Sequence, residues 1–313
     1  MIVLPRIFFC ALIVIKVTSA YEERGRKTEN KCKEYVKYAC DNQPPLTTSE
    51  IISSPTDRIK YGKEVPLGVF PHMAAIYLFD KLYNGTNGSG QCSGTLISEN
   101  FVLSAAHCAE DSARFEGIFG TVKLGSTIKF DDGAGIWYNV IEMYRHPNYT
   151  FEPKLKLRND VLLLRLDREV QFSPYIRPIC LRTKPLNGVS NAVVSGWGKD
   201  ESGNISDILK STQLYIDNEI VKSNCNEALE DGFFDSTTVI CAGDPNQTTG
   251  TDQGDSGGPM QISLDTGCPN TYEQIGIVSG SSTFNDTHPR VEVYLSTDIE
   301  QFIPWIESNV WPD

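Results

Sequence analysis

Three short stretches hold residue types that do nucleophilic chemistry together. Ser104-Ala105-Ala106-His107-Cys108 ends an apolar run, Asn159-Asp160 opens another, and Gly254-Asp255-Ser256-Gly257-Gly258-Pro259 sets a serine in a glycine-rich turn. A serine hydroxyl is a poor nucleophile until a base takes its proton, and an imidazole titrating near neutrality suits that task. Glycines around Ser256 allow a tight turn that leaves two backbone N–H groups pointing at one spot. Each stretch alone fits a plainer role: a histidine beside a structural cysteine, a strand cap, a loop. Their joint occurrence carries the functional reading. His72, His146 and His288 read as packing or surface residues.

The elements that must position these groups are short strands. Beyond Ile59, apolar runs at 73–79, 94–97, 102–106, 161–166, 192–194 and 275–278 are separated by Gly, Asn, Asp and Pro, a texture that predicts a sandwich or barrel. The last stretch reads as the one clear helix. Thr297 and Glu300 have capping-box spacing, Ile299, Phe302, Ile303, Ile306 and Val310 recur at helical spacing, and Pro304 kinks or starts the helix. Residues 21–58 are polar, with few large apolar side chains to build a core, and carry Cys32, Cys40, Pro44-Pro45 and Ser53-Ser54-Pro55. They read as a tethered segment.

Residues 1–20 have the pattern of an export signal: Arg6, an apolar core over 7–15, and Thr18-Ser19-Ala20 for cleavage. Six sequons, at Asn84, Asn87, Asn148, Asn204, Asn246 and Asn285, suit an exported glycoprotein. Without Cys10 in the leader, eight cysteines remain, an even number suited to four disulfides. No later segment is apolar enough to cross a bilayer, so a secreted, soluble product without a membrane partner is expected. The net charge of −12 argues against nucleic acid.

The three motifs, in the order His, Asp, Ser, resemble those of chymotrypsin-like serine proteases. The resemblance extends through 59–313 by way of Phe70-Pro71-His72-Met73, Pro178-Ile179-Cys180-Leu181, Ser195-Gly196-Trp197-Gly198 and Ile240-Cys241-Ala242-Gly243. It implies an all-β fold of two packed six-stranded antiparallel barrels with a C-terminal helix, and peptide hydrolysis without a cofactor. In that scheme Ser256 is the nucleophile, His107 the base and later the acid, and Asp160 the group that holds its tautomer. The N–H groups of Gly254 and Ser256 form the oxyanion hole. Cleavage at Arg58-Ile59 frees an ammonium that pairs with Asp255, although Lys60-Tyr61-Gly62 departs from the usual residues after the cut.

The resemblance also implies Cys92–Cys108 and Cys225–Cys241 disulfides. Cys180 takes the tethering position, with Cys40 or Cys32 as partner and the other joined to Cys268; Cys32–Cys40 with Cys180–Cys268 is the alternative. The tether is similar to that of arthropod clip-type haemolymph proteases. Implied partners are a protein substrate, an upstream activating protease and a serpin-type inhibitor, with a monomeric enzyme in an immune or developmental cascade. The specificity pocket leaves the family pattern. Gly250 stands at its floor where trypsin-like enzymes carry Asp, Thr251 follows, Asp252 replaces a cysteine, and Ser279-Gly280-Ser281 lacks the usual Trp. Either Asp252 enters the pocket and recognises Arg or Lys, or the pocket is neutral and takes small or apolar residues. Between Gly125 and Trp137 the acids Asp131 and Asp132 miss the family's calcium positions, so no metal is expected. The altered pocket leaves a second reading open, a protease-like adaptor that binds without cleaving.

Overall fold

A computed structural model describes residues 25–42, 62–79, 90–112, 114, 116–130, 133–150, 157–200, 202–230, 234–282 and 292–313. The leader, the Arg58-Ile59 junction, Lys60-Tyr61, Asp131, Asp132, His288 and the sequons at Asn84, Asn87 and Asn285 lie outside these residues. Asn148, Asn204 and Asn246 are exposed.

The predicted strands all form. After the short β1 (Lys63–Glu64), the strands β2 (Met73–Leu78), β3 (Gly90–Leu96), β4 (Phe101–Ser104), β5 (Gly120–Leu124), β6 (Ile136–Arg145) and β7 (Leu162–Leu166) close a six-stranded antiparallel barrel in the order β2-β3-β4-β7-β6-β5. The short β8 (Cys180–Leu181) precedes β9 (Asn191–Gly196), β10 (Lys210–Tyr215), β11 (Val239–Gly243), β12 (Pro259–Ser263), β13 (Tyr272–Ser282) and β14 (Val293–Asp298). These last six form the second antiparallel barrel, β9-β10-β11-β14-β13-β12, closed by β12 on β9, with β1 on the edge of β10 and β8 parallel to β13. Leu162, Leu163 and Leu164 have no exposed surface. A strand covered on both faces reads as a continuous apolar run instead of an alternation.

Three α-helices occur among the described residues, two more than the sequence predicted. The first, α1 (Arg26–Asp41), lies inside the segment read as too polar to pack. Its buried residues are few (Thr28, Tyr35 and Ala39), yet Tyr35 meets Phe172 edge-on with ring centroids 5.9 Å apart. Its first turn is capped from across the molecule. Oε1 of Glu307 accepts from the Thr28 N–H (2.8 Å) and hydroxyl (2.9 Å), and Oε2 accepts from the Gly25 N–H (3.3 Å). An anion at a helix N-terminus satisfies orphan N–H donors and complements the helix dipole.

The helix also decides the cysteine pairing. Cys32 and Cys40 are eight residues apart in α1, hence about 12 Å along its axis, too far to join each other. Cys32 pairs with Cys180 and Cys40 with Cys268, which excludes the Cys32–Cys40 alternative. The other two disulfides are Cys92–Cys108 and Cys225–Cys241. The second of these ties α2 (Glu219–Glu230) to β11, and the Asn218 side chain caps that helix by accepting from the Ile220 N–H.

At the C-terminus a 3₁₀ turn (Ile299–Phe302) leads into α3 (Ile303–Val310), with Pro304 in the first turn, so the proline begins the helix and does not kink it. The expected Thr297–Glu300 capping box is replaced by Asp298, whose carboxylate accepts from the Glu300 N–H. Ile299, Phe302, Ile303, Ile306 and Val310 join the core of the first barrel. No helix among the described residues is long and apolar enough to cross a membrane.

Candidate active site

His107 sits in a 3₁₀ turn (Ala106–Ala109) directly after β4, and the Cys92–Cys108 disulfide pins that turn to β3. Asp160 lies two residues before β7, the neighbour of β4, so strand pairing brings the two together. Asp160 Oδ2 bonds His107 Nδ1 at 2.7 Å, and Oδ1 accepts the His107 backbone N–H at 2.8 Å. The Ser279 hydroxyl donates to the same Oδ2. A carboxylate held on Nδ1 fixes the tautomer in which Nε2 is free to accept a proton.

Burial pulls the His107 pKa down, but the Asp160 charge and hydrogen bond outweigh it, and the net shift is upward. For Asp160 burial pushes the carboxyl up, and the His107 charge with the bonds from His107 and Ser279 brings it below its ordinary value. The pair therefore favours an ionised Asp160 and a stabilised imidazolium.

Ser256 comes from the second barrel, in the turn before β12. Gly257 seats that turn against the first barrel, because a Cβ there would lie 2.0 Å from the Ser104 hydroxyl and 3.0 Å from the Ala105 nitrogen, two residues before His107. The Ser93 N–H bonds the Ser256 carbonyl at 2.9 Å. The turn and the His107 segment are thus in contact. The described hydrogen bonds do not include one between Ser256 Oγ and His107 Nε2; catalytic bonds of this kind often tighten only with substrate bound.

The turn's amides divide in an informative way. The N–H groups of Asp255, Gly257 and Gly258 bond the carbonyls of Asp252, Val278 and Asp255. Those of Gly254 and Ser256 have no partner among the described residues. Gly254 has φ +106°, a conformation that favours glycine, and a Cβ there would crowd Gly198 Cα at 3.0 Å. Two free donors flanking a serine can stabilise an oxyanion.

Asp255 is wholly buried and turned away from the serine. Its Oδ1 accepts the Gly198 N–H at 2.8 Å and its Oδ2 the Asp252 N–H at 2.9 Å. Burial pushes its pKa up to about 6, opposed by those two bonds and by the charge of Lys129. Two other histidines behave as the sequence suggested. His72 is buried against Gln261 Oε1 at 2.6 Å, and His146 stacks edge-on between Phe302 and Trp305.

The residues read as a specificity pocket, Gly250, Thr251, Asp252, Gly280 and Ser281, lie around Tyr294 and Phe234. Gly250 packs on the Tyr294 ring, so tightly that a Cβ would fall 1.6 Å from the hydroxyl. Gly280 packs on Phe234, whose ring lies 3.0 Å from a Cβ position, and Ser281 pairs with Tyr294 across β13 and β14. Thr251 is half-buried beside Asp252. Asp252 is half-buried, and its Oδ1 accepts the neighbouring Gln253 N–H at 2.6 Å. An acid that the sequence reading did not single out, Glu292, stands next to Gly250 by way of Tyr294. Its Oε2 accepts the Tyr294 hydroxyl at 3.0 Å, one bond from Gly250. Burial raises the Tyr294 pKa, and the charges of Glu292, Asp252 and Asp244 raise it further. The available signal was the Glu292-Val293-Tyr294 alternation at the start of β14, which puts Glu292 and Tyr294 on one face.

Residues 59–306 match the family described as Trypsin. The chain is 33% identical over 77% of its length to the venom protease of Bombus pensylvanicus, covering 96% of that protein. It is 31% identical over 83% of its length to the proclotting enzyme of Tachypleus tridentatus, covering 68% of it. It is also 31% identical over 82% of its length to the serine protease Hayan of Drosophila melanogaster, but spans only 40% of that relative. The two barrels, the disulfides and this match over most of the chain lead to one conclusion: the chain belongs to the trypsin family of serine proteases and is a serine-type endopeptidase.

Proposed function

We propose that the protein is a secreted endopeptidase, made as a zymogen and activated by cleavage at Arg58-Ile59, that cuts protein substrates after basic residues in an extracellular cascade. Ser256 attacks the scissile carbonyl, His107 takes its proton and passes it to the leaving amine, and Asp160 holds the ring. The Gly254 and Ser256 N–H groups receive the oxyanion. The observation that carries this reading is the Asp160–His107 pair, packed against a serine turn in which the Gly254 and Ser256 N–H groups have no partner among the described residues. The cascade setting rests on likeness to a proclotting enzyme, and an upstream trypsin-like protease follows from Arg at the cut. After cleavage, α1 stays attached through Cys32–Cys180 and Cys40–Cys268.

A fluorophosphonate probe tests the reading. Labelling should be strong after cleavage at Arg58 and absent in Ser256→Ala; a cut wild-type chain that does not label favours the adaptor reading and excludes the enzyme. Preference for basic residues rests on Glu292, since a half-buried carboxylate beside Gly250 can take a charge-assisted partner. Glu292→Gln should lower kcat/KM for Arg and Lys peptide substrates by about 10- to 100-fold, from loss of a charged hydrogen bond of about 1.5–3 kcal/mol, and should leave substrates with apolar residues within a few-fold. Equal loss on both classes, measured with paired peptides, excludes a role for Glu292 in recognition.

A further inference from the structure

Lys129 has no part in the mechanism above, yet it is among the largest side chains with no exposed surface at all. An ammonium removed from water is costly unless it is compensated. Its Nζ donates to the Trp197 carbonyl oxygen at 3.4 Å. The other end of that same peptide unit, the Gly198 N–H, donates to Asp255 Oδ1 at 2.8 Å. Cation, peptide dipole and carboxylate therefore lie in series, with the negative end of the peptide toward Lys129 and its positive end toward Asp255. Bonds in such a chain polarise one another in a low-dielectric interior.

The surrounding loop is held so that Lys129 points inward. Its N–H bonds the Asp207 carbonyl at 2.7 Å and its carbonyl accepts the Tyr77 hydroxyl at 2.5 Å. Lys123, from β5, donates to the carbonyls on either side, Ile128 at 3.1 Å and Phe130 at 2.7 Å. The Trp197 indole closes the loop on the site by donating to the Thr127 carbonyl at 3.0 Å. Trp197 also touches the serine turn directly, since its carbonyl oxygen is 3.1 Å from a Cβ position on Gly254.

The geometry points to Lys129 as a positioning residue that keeps Asp255 ionised, and the Gly254–Ser256 turn in shape, while the Arg58-Ile59 bond is intact. This rests on the zymogen reading above and adds to it a basal activity in the uncut chain. Cleavage supplies a second cation, so Lys129 matters most before it. Burial lowers the Lys129 pKa to about 8, against the raising effect of Asp255 and Asp207. The other ionisable groups facing it are Lys123 and Tyr77, the latter raised by burial well beyond its ordinary value. Asp255 is ionised above about 6. Lys129 is thus the group around it that loses charge near pH 8.

The test uses the full chain with Arg58→Gln, which blocks cleavage, and reads the rate of fluorophosphonate labelling at Ser256 against pH. The uncut chain should label slowly but measurably, rising as His107 loses its proton and falling as Lys129 loses its own around pH 8. Adding Lys129→Met, similar in size and neutral, should cut the rate about tenfold, as for a weakened oxyanion turn, and remove the alkaline fall. In the cut enzyme the same substitution should change the rate less than threefold or so, the new ammonium acting on Asp255 instead. An Arg58→Gln chain that fails to label, or labels identically with Lys129→Met, overturns the role of Lys129 if the cut wild type labels. A cut wild type that does not label overturns the enzyme reading and this one with it.

Discussion

Ser256→Ala should lower turnover of the cut enzyme by about 10⁶, and Asp160→Asn by about 10⁴, sizes taken from the template triads of this mechanism. The two act differently, and steady-state kinetics separates them. Losing Ser256 removes the attacking oxygen, so adding His107→Ala to it should cost little more; an additive double variant would mean that the two residues do not act as a unit. Asn at 160 can keep the packing against Ser279 and Thr297, but its amide can hold the wrong ring tautomer. Its second effect is on pH. Asp160 holds the His107 pKa above its ordinary value against burial, so wild-type activity is present above that raised pKa and is lost as pH falls through it. In Asp160→Asn the opposing burial is met only by the smaller effect of Glu110, and the acid limb of the residual activity should move to lower pH. A limb that stays in place would mean that Asp160 does not set the charge of His107.

The extent to which this site was legible follows from how local each signal is. His107, Asp160 and Ser256 lie in stretches of five or six residues whose composition already expresses their local structure: a strand ending at a disulfide, a strand beginning at a cap, a turn that requires glycine at 254 and 257. The strands were legible because turn residues bound them. Helix α1 was not, because its stability is not in its own sequence. Glu307, nearly three hundred residues on, caps it, and two disulfides and the Phe172 ring hold it down. Glu292 was missed for a related reason: reading the pocket backward from Ser256 reaches Gly250, whereas the acid beside it arrives from β14. Lys129 carries no local signal in the sequence around it. Only the pinning of its loop by Lys123, Tyr77 and Trp197 turns it inward.

Gly198→Ala should be the most damaging change that touches none of the three reacting side chains. A Cβ at 198 would fall 2.3 Å from Asp255 Oδ2 and 2.4 Å from Cγ, closer than any packing allows, and both atoms are buried with nowhere to retreat. The Asp255 carboxylate must shift, which breaks its bond from the Gly198 N–H and separates it from Lys129. The turn carrying the Gly254 and Ser256 N–H groups moves with it. We expect kcat to fall by about 10²–10³, the cost of losing an oxyanion donor, with the Asp160–His107 pair unchanged. The same substitution should leave a mark on stability. Asp255 has a folded pKa of about 6 against an ordinary 3.8, so its contribution favours the fold below the ordinary value and is lost as pH rises toward 6. Stripping the carboxylate of a donor raises that pKa further and penalises only the ionised form. The gap in Tm between wild type and Gly198→Ala should therefore be smallest near pH 5, where Asp255 is protonated in both and only the steric cost of the Cβ remains, and widen toward about pH 8. A gap that is constant with pH would mean that the damage is steric and that the charge of Asp255 plays no part in it.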